Sequence, residues 1–329
     1  YIFKSKDKGK TWISISSNLP NRGSIYSIEE DFVDSNLIFT GTEFGCFFSA
    51  NGGAEWKQLK SGLPTIAVRD MTIHPKHNDL ILGTFGRGFY VLDDYSSLRN
   101  LSESIIAESK LFEVRDGLIF EPSYPLGLPM KSFQGDDFFI GENLGSEVIF
   151  TWYLKEEIKT RKDNRKESEK EAAKNGGSND YPSYETLVAE EKEDKPTLIF
   201  TIKNESGTII RKLFSEPKAG IKRINWDLKF SPKGAVDLTK PSFYNPWANK
   251  NEGTLVPPGT YTVSLSQLVE GIESSLSEPV SFKLRALNNT VLPTEDRLAL
   301  ANFQEKVKRL SGRFAGAGKA ISELKNEMK

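Results

Sequence analysis

The chain has 329 residues, 37% hydrophobic and 27% charged, with 44 Lys and Arg against 45 Asp and Glu for a formal net charge of −1. This is the composition of a folded globular chain long enough for two or three domains, and its balanced charge gives no global electrostatic pull toward nucleic acid or an anionic membrane. The single cysteine, Cys46, excludes an internal disulfide framework and a four-cysteine zinc site, and no apolar run approaches the ~20 residues that a helix needs to cross a bilayer.

Tyr1-Ile2-Phe3-Lys4-Ser5 reads as the middle of a strand, and the pattern from Glu295 to Lys329 is helical to its last residue. Both ends predict a piece of a longer protein. The first hundred residues contain a repeat. Ser5, Asp7, Gly9, Thr11 and Trp12 lie in one turn-like segment, and Ser49, Asn51, Gly53 and Trp56 lie in another 44 residues later. Leu19-Pro20 recurs at the same offset as Leu63-Pro64. Short apolar stretches between turn residues predict strands at 24–28, 37–40, 45–49, 70–73, 80–83 and 88–92.

A period near 44 with about four short strands is the pattern of a β-propeller blade. The S-x-D-x-G-x-T-W segment resembles the Asp box of the BNR, or sialidase-type, repeat. The resemblance implies that Asp7 and Gly9 form a hairpin turn, that Trp12 packs between blades, and that the motif is structural and marks no active site. The second copy departs from it, with Asn51 for the Asp and Glu55 for the Thr. Asn tolerates the same turn geometry. Residues 1–97 are therefore expected to be the last two blades of a propeller. Two blades cannot close a ring, which needs at least about four.

Three features of this region invite a chemical reading. His74 and His77 have the spacing of a metal pair, but Pro75 breaks any helix there and no nearby carboxylate or cysteine completes a site, so a turn between blade strands is the expectation. Gly83-Thr84-Phe85-Gly86-Arg87-Gly88 lacks the following helix of a dinucleotide fold and is expected to be a bulged hairpin. Its Arg87 could face a central channel or a partner. Asp93-Asp94 stands where the turn motif ends and is expected to be an exit turn. A cation is the alternative, but a strand points adjacent acids to opposite faces.

Residues 98–290 are expected to form a β-sandwich. Strands are predicted at 111–114, 147–154, 196–203, 208–213, 220–228, 256–265 and 280–284. The Gly- and Pro-rich 120–138 reads as a loop. The charged insert 155–195 predicts an exposed helix over 155–174 and a second over 184–191. It is either a solvated insertion or a helical hairpin that contacts a partner. The later strands resemble an FlgD-type or fibronectin-type Ig-like domain, which implies Trp226 as the core aromatic and Tyr261 as the residue after the P-P-G turn. Phe243, Tyr244 and Trp247 sit in a Pro-flanked loop. They could stack on a sugar, fill a partner's groove, or dock one domain on the other.

Residues 291–329 form a helical segment, with Thr294 as N-cap and Ser311-Gly312 and Gly316-Ala317-Gly318 as interruptions, so two helices or one kinked helix are expected. An amphipathic membrane helix is a weaker reading.

The fold class expected is all-β: terminal propeller blades, then an Ig-like sandwich with a charged helical insertion and a C-terminal helical segment. The order of motifs, including F-G-R-G-F-Y-V-L-D-D at 85–94, W-D-L at 226–228 and P-P-G-T-Y-T-V at 257–263, is similar to the C-terminal third of bacterial BNR-repeat proteins. These are also called sortilin- or VPS10-like and are common in Bacteroidetes. The resemblance implies a secreted, periplasmic or outer-membrane-associated propeller. Two functions follow as expectations. One is a non-catalytic scaffold that binds a protein or peptide partner. The other is a glycoside hydrolase or glycan-binding protein with its site in blades outside this chain. The residues supply no catalytic set, no cofactor site and no metal site, and none of the family's catalytic residues maps onto a position here.

Overall fold

The computed structural model describes residues 1–101, 108–120, 145–177, 181–232, 253–287 and 294–328. The chain divides into two compact units, Tyr1–Glu108 and Ser109–Lys329. The division falls about ten residues later than the boundary expected at 97, and the C-terminal helix belongs to the second unit instead of standing apart.

The first unit is a series of antiparallel sheets. β1 (Phe3–Lys4) pairs with β2 (Ile13–Ser14). β3 (Ile25–Glu30), β4 (Ile38–Thr42), β5 (Gly45–Ser49) and β6 (Lys57–Gln58) form a four-stranded meander in chain order. β7 (Val68–His74), β8 (Asp79–Thr84) and β9 (Phe89–Leu92) form a three-stranded one. All six strands read from the sequence are present. By the 44-residue repeat, β1 and β2 are the sequence counterparts of β5 and β6.

β4 and β5 are buried at every position, as interior strands covered on both faces must be. Ile2, Leu19, Ile38, Phe47 and Trp56 form one cluster that ties the first sheet to the second. The second and third sheets meet at Gly41, where a Cβ would lie 2.4 Å from Ser27 Oγ and 2.6 Å from the Val68 carbonyl oxygen. Only glycine allows backbones to approach this closely. A 3-10 helix, Tyr95–Asn100, follows β9, and the Tyr95 ring packs edge-on to Phe39 with centroids 5.0 Å apart.

The second unit is a two-sheet sandwich. One sheet has the order β10 (Lys110–Leu111), β12 (Val148–Leu154), β15 (Gly220–Trp226). The other runs β11 (Gly117–Ile119), β18 (Val280–Ala286), β16 (Gly259–Val269), β13 (Thr197–Asn204), β14 (Ile209–Ser215), with β17 (Ile272–Ser275) folded back onto β16. Alternate residues of β12 (Val148, Phe150, Trp152, Leu154) meet alternate residues of β13 (Leu198, Phe200, Ile202) and β16 (Tyr261, Val263, Leu265) in one core. This is period-2 patterning converted into burial. Trp152 packs on Phe200 at 4.8 Å and Trp226 on Tyr261 at 5.7 Å between ring centroids.

One expectation changes here and two strands are added. The strand expected at 111–114 ends at Leu111, and a separate short strand, β11, pairs in parallel with β18. β17 was not foreseen, because Ile272–Ser275 is exposed throughout and carries no alternation.

In the insert, α1 (Arg161–Lys174) starts six residues later than 155, where Thr160 accepts from the Asp163 amide as N-cap. α2 (Tyr184–Lys192) is capped in the same way by Ser183. Neither helix buries a residue. Arg165 joins them with hydrogen bonds of 2.6 and 2.9 Å to Glu190.

The C-terminal segment is one helix, α3 (Thr294–Glu327), and the expected break is absent. Gly312, Gly316 and Gly318 each weaken a helix by about 1 kcal/mol relative to Ala. They keep their backbone donors, and without proline nothing blocks the hydrogen-bond ladder.

Candidate functional site

The two repeated turns have the same internal wiring. In the first, Gly9 N donates to Ser5 Oγ at 2.7 Å, and Asp7 accepts from the Thr11 amide at 2.8 Å and the Thr11 hydroxyl at 2.7 Å. In the second, Gly53 N donates to Ser49 Oγ at 2.9 Å and the Glu55 amide donates to Asn51 Oδ1 at 2.9 Å. These hydrogen bonds, with burial opposing them weakly, hold the Asp7 carboxyl below its ordinary range.

The tryptophans part company. Trp56 is 3% exposed, and its Nε1 donates to the Ile15 carbonyl at 2.7 Å. Trp12 is 62% exposed and donates only within its own turn, to the Gly9 carbonyl at 3.1 Å. Trp56 thus packs with Ile2 and Ile15 beside the first sheet, whereas Trp12 is covered by no neighbouring sheet among the described residues.

A different cluster stands out at one end of these sheets. β3 and β4 slip register between Ile25 and Ser27, and β7 and β8 slip between Val68 and Asp70. Tyr26 and Arg69 are the extra residues of the two bulges, at corresponding places in consecutive sheets. A bulge re-aims its side chain out of the pleat. Here the Arg69 guanidinium lies 4.0 Å from the Tyr26 ring centroid and 5.2 Å from that of Phe85.

Phe85 is fixed by a hydrogen bond from its amide to the Ala67 carbonyl at 2.9 Å, yet its ring is 67% exposed. Arg22 and Phe44 make a second such pair at 5.6 Å. On β3 and β7, burial and then the charge of Asp70 raise the Glu29 carboxyl above its ordinary range.

Arg87 is exposed in the β8–β9 turn, two residues from Phe85, between Gly86 and Gly88 at φ of 79° and 70°. The hairpin itself has no register slip, so the expected bulge lies one strand away, in β7. Tyr26 and Arg69 were not picked out from the sequence. The signal was present, since Ile25-Tyr26-Ser27 and Val68-Arg69-Asp70 hold corresponding places in the repeat.

The remaining candidates have local roles. His74 and His77 stack with centroids 5.0 Å apart in the β7–β8 turn, and among the described residues no group of three His, Cys, Asp or Glu is placed to hold a metal ion. Asp94 caps the 3-10 helix, accepting from the Ser96 amide at 3.3 Å and the Ser96 hydroxyl at 2.5 Å. Phe243, Tyr244 and Trp247 lie outside the described residues. In the second unit, a groove of about 610 Å³ runs between the 204–208 turn, Pro257–Tyr261 and the first half of α3.

No family model matches this chain, and no curated protein does. Among solved structures it is similar to the extracellular domain of the one component system BT4673 from B. thetaiotaomicron, at 14% identity and TM-score 0.23, over 88% of this chain and 28% of that one. It is similar to the extracellular domain of the hybrid two component system BT3049 from the same organism, at 10% identity and TM-score 0.22, over 84% and 28%. A third is PorZ, a surface component of the type-IX secretion system of Porphyromonas gingivalis, at 12% identity and TM-score 0.20, over 80% and 30%. The chain spans less than a third of each of these.

Proposed function

We propose that this chain is part of a non-catalytic β-propeller scaffold that binds a protein or peptide partner at the bacterial cell envelope. The observation that carries the binding role is the Tyr26–Arg69–Phe85 stack. Tyr, Phe and Arg are the residue types that anchor protein interfaces, and two bulges hold Tyr26 and Arg69 while the amide hydrogen bond to Ala67 holds Phe85 before any partner arrives.

The propeller reading is supported by the outward faces of the first and last sheets of the first unit. Tyr1, Phe3 and Trp12 are exposed at the first, and Phe89 and Val91 at the last. Further sheets of the same kind would cover both. The envelope location rests on the resemblance of the repeated turns to the Asp box. The groove beside α3 and the charged insert are further surfaces for contact.

The test is a photo-crosslinking amino acid at position 85 or 87 of the full-length protein in its native envelope. One stoichiometric protein adduct, lost in Arg69→Ala, is the expected result. Internal crosslinks alone, together with binding or cleavage of an oligosaccharide, would overturn this reading in favour of a glycan-directed protein.

A further inference from the structure

α3 carries an apolar seam of unusual regularity. Leu300, Phe303, Val307, Leu310, Phe314, Ala317, Ile321, Leu324 and Met328 are separated by alternating steps of three and four residues. Every one of them is exposed. The helix docks on its own sandwich by a different face, where Ala301 is buried and Asn302 and Glu305 line the groove. Beyond Gly312 every described side chain points to solvent.

A period of 3.5 residues identifies what would cover such a seam. An α-helix keeps a strict seven-residue repeat in contact only with another helix, in a left-handed supercoil. The second half of α3 also contains three glycines and no packing of its own. A helical stretch of this length is marginal in water unless an apolar face is buried.

The residues that flank the seam restrict the partner further. In the places beside it stand Lys306, Arg313 and Lys325, against one acid, Glu327; the others are Ala299, Gln304, Ser311, Gly318 and Ala320. A second copy in parallel would set Ser311 and Gly318 opposite Lys306 and Arg313 and would supply neither with a counter-charge. A helix with acidic flanks supplies both.

We propose that α3 pairs through this seam with an α-helix of a partner protein, one that bears its own 3.5-residue apolar repeat with Glu or Asp beside it. Two synthetic 35-residue helices test this, both with Ile and Leu along the seam, one with Glu and the other with Lys at the flanking places. Each is labelled and titrated into the 329-residue chain, and binding is read by fluorescence anisotropy.

The Glu peptide should bind at least about 10-fold more tightly than the Lys peptide, a contrast that should shrink in 1 M salt. Leu310→Asp and Ile321→Asp should each abolish binding while the far-UV circular dichroism of the chain is kept. Both positions are exposed, so the fold does not depend on them. Sedimentation velocity should find the chain alone to be monomeric. Equal binding of the two peptides, no binding of either, or self-association that Leu310→Asp removes would each overturn the proposal, the last in favour of a second copy.

Discussion

Arg99 reaches back 68 residues along the chain to grip Asp31, with Nε 2.8 Å from Oδ2 and Nη2 2.8 Å from Oδ1. The fork is bidentate, the strongest geometry available to this pair. Asp31 is fully buried in its side chain, and it also accepts from the Tyr95 hydroxyl at 2.5 Å and from the amides of Val33 and Asp34. Arg99 in addition donates to Asn78. One carboxylate thus ties the β3–β4 loop to the 3-10 helix that closes the first unit.

Removal of that carboxylate should be costly. Asp31→Ala leaves Arg99 and Tyr95 without their acceptor in a buried place, and the loss should be about 3–5 kcal/mol. A urea titration followed by circular dichroism checks this, and a loss under 1 kcal/mol would contradict the role given to Asp31.

The same group predicts an acid response. Burial pushes the Asp31 carboxyl up, but Arg99, Tyr95 and the two amides outweigh it and hold it at about 2. A carboxyl lowered on folding adds stability that is complete above about pH 4 and is lost as pH falls toward 2. The contribution is on the order of 2 kcal/mol. Stability measured from pH 5 to pH 2 should fall more steeply in the parent than in Asp31→Ala.

The two repeat tryptophans should respond unequally. Trp56→Ala empties a buried place and should cost about 3–5 kcal/mol in this chain, whereas Trp12→Ala should cost less than about 1 kcal/mol. Equal losses in thermal unfolding would mean that Trp12 is buried in solution.

Tyr261 is 3% exposed, burial pushes its phenol up, and its hydroxyl donates to the Pro257 carbonyl at 2.7 Å, four residues upstream. Tyr261→Phe keeps the ring contacts with Trp226 and Phe282 but strands that carbonyl. A destabilisation of about 1–2 kcal/mol is expected, with an unchanged fold by circular dichroism.

Cys46 reports on opening of the first unit. It is fully buried, and burial pushes its thiol up to about 12. Thiol reagents attack the thiolate, so labelling at pH 8 should wait for unfolding and should accelerate in Asp31→Ala. Rapid labelling of the native chain would place Cys46 at the surface.

Much of the fold was legible because its signals are local. Alternation marked β13, since period 2 puts every second residue in the core. Thr294 marked the start of α3. β17 escaped because a strand exposed on both faces leaves no alternation to read. The continuity of α3 escaped because glycine looks like a stop signal, while in fact it only weakens a helix. Of the candidate site, Phe85 and Arg87 lay inside a glycine-rich segment that drew attention. Tyr26 and Arg69 did not, because a bulge is a register slip between two strands and belongs to neither strand's sequence alone.

The amino-acid sequence by itself determined the 44-residue repeat, the turns built on Asp7 and Asn51, and the sandwich strands with Trp226 and Tyr261. All of these rest on side chains acting within a few residues of their own backbone or on a fixed period. Only the tertiary structure decided that Trp56 is buried and Trp12 is not, that Arg99 finds Asp31, and that Arg69 lies over Tyr26. Those outcomes depend on which distant segments close against one another, and two identical side chains in identical turns differ when only one of them meets a neighbouring sheet.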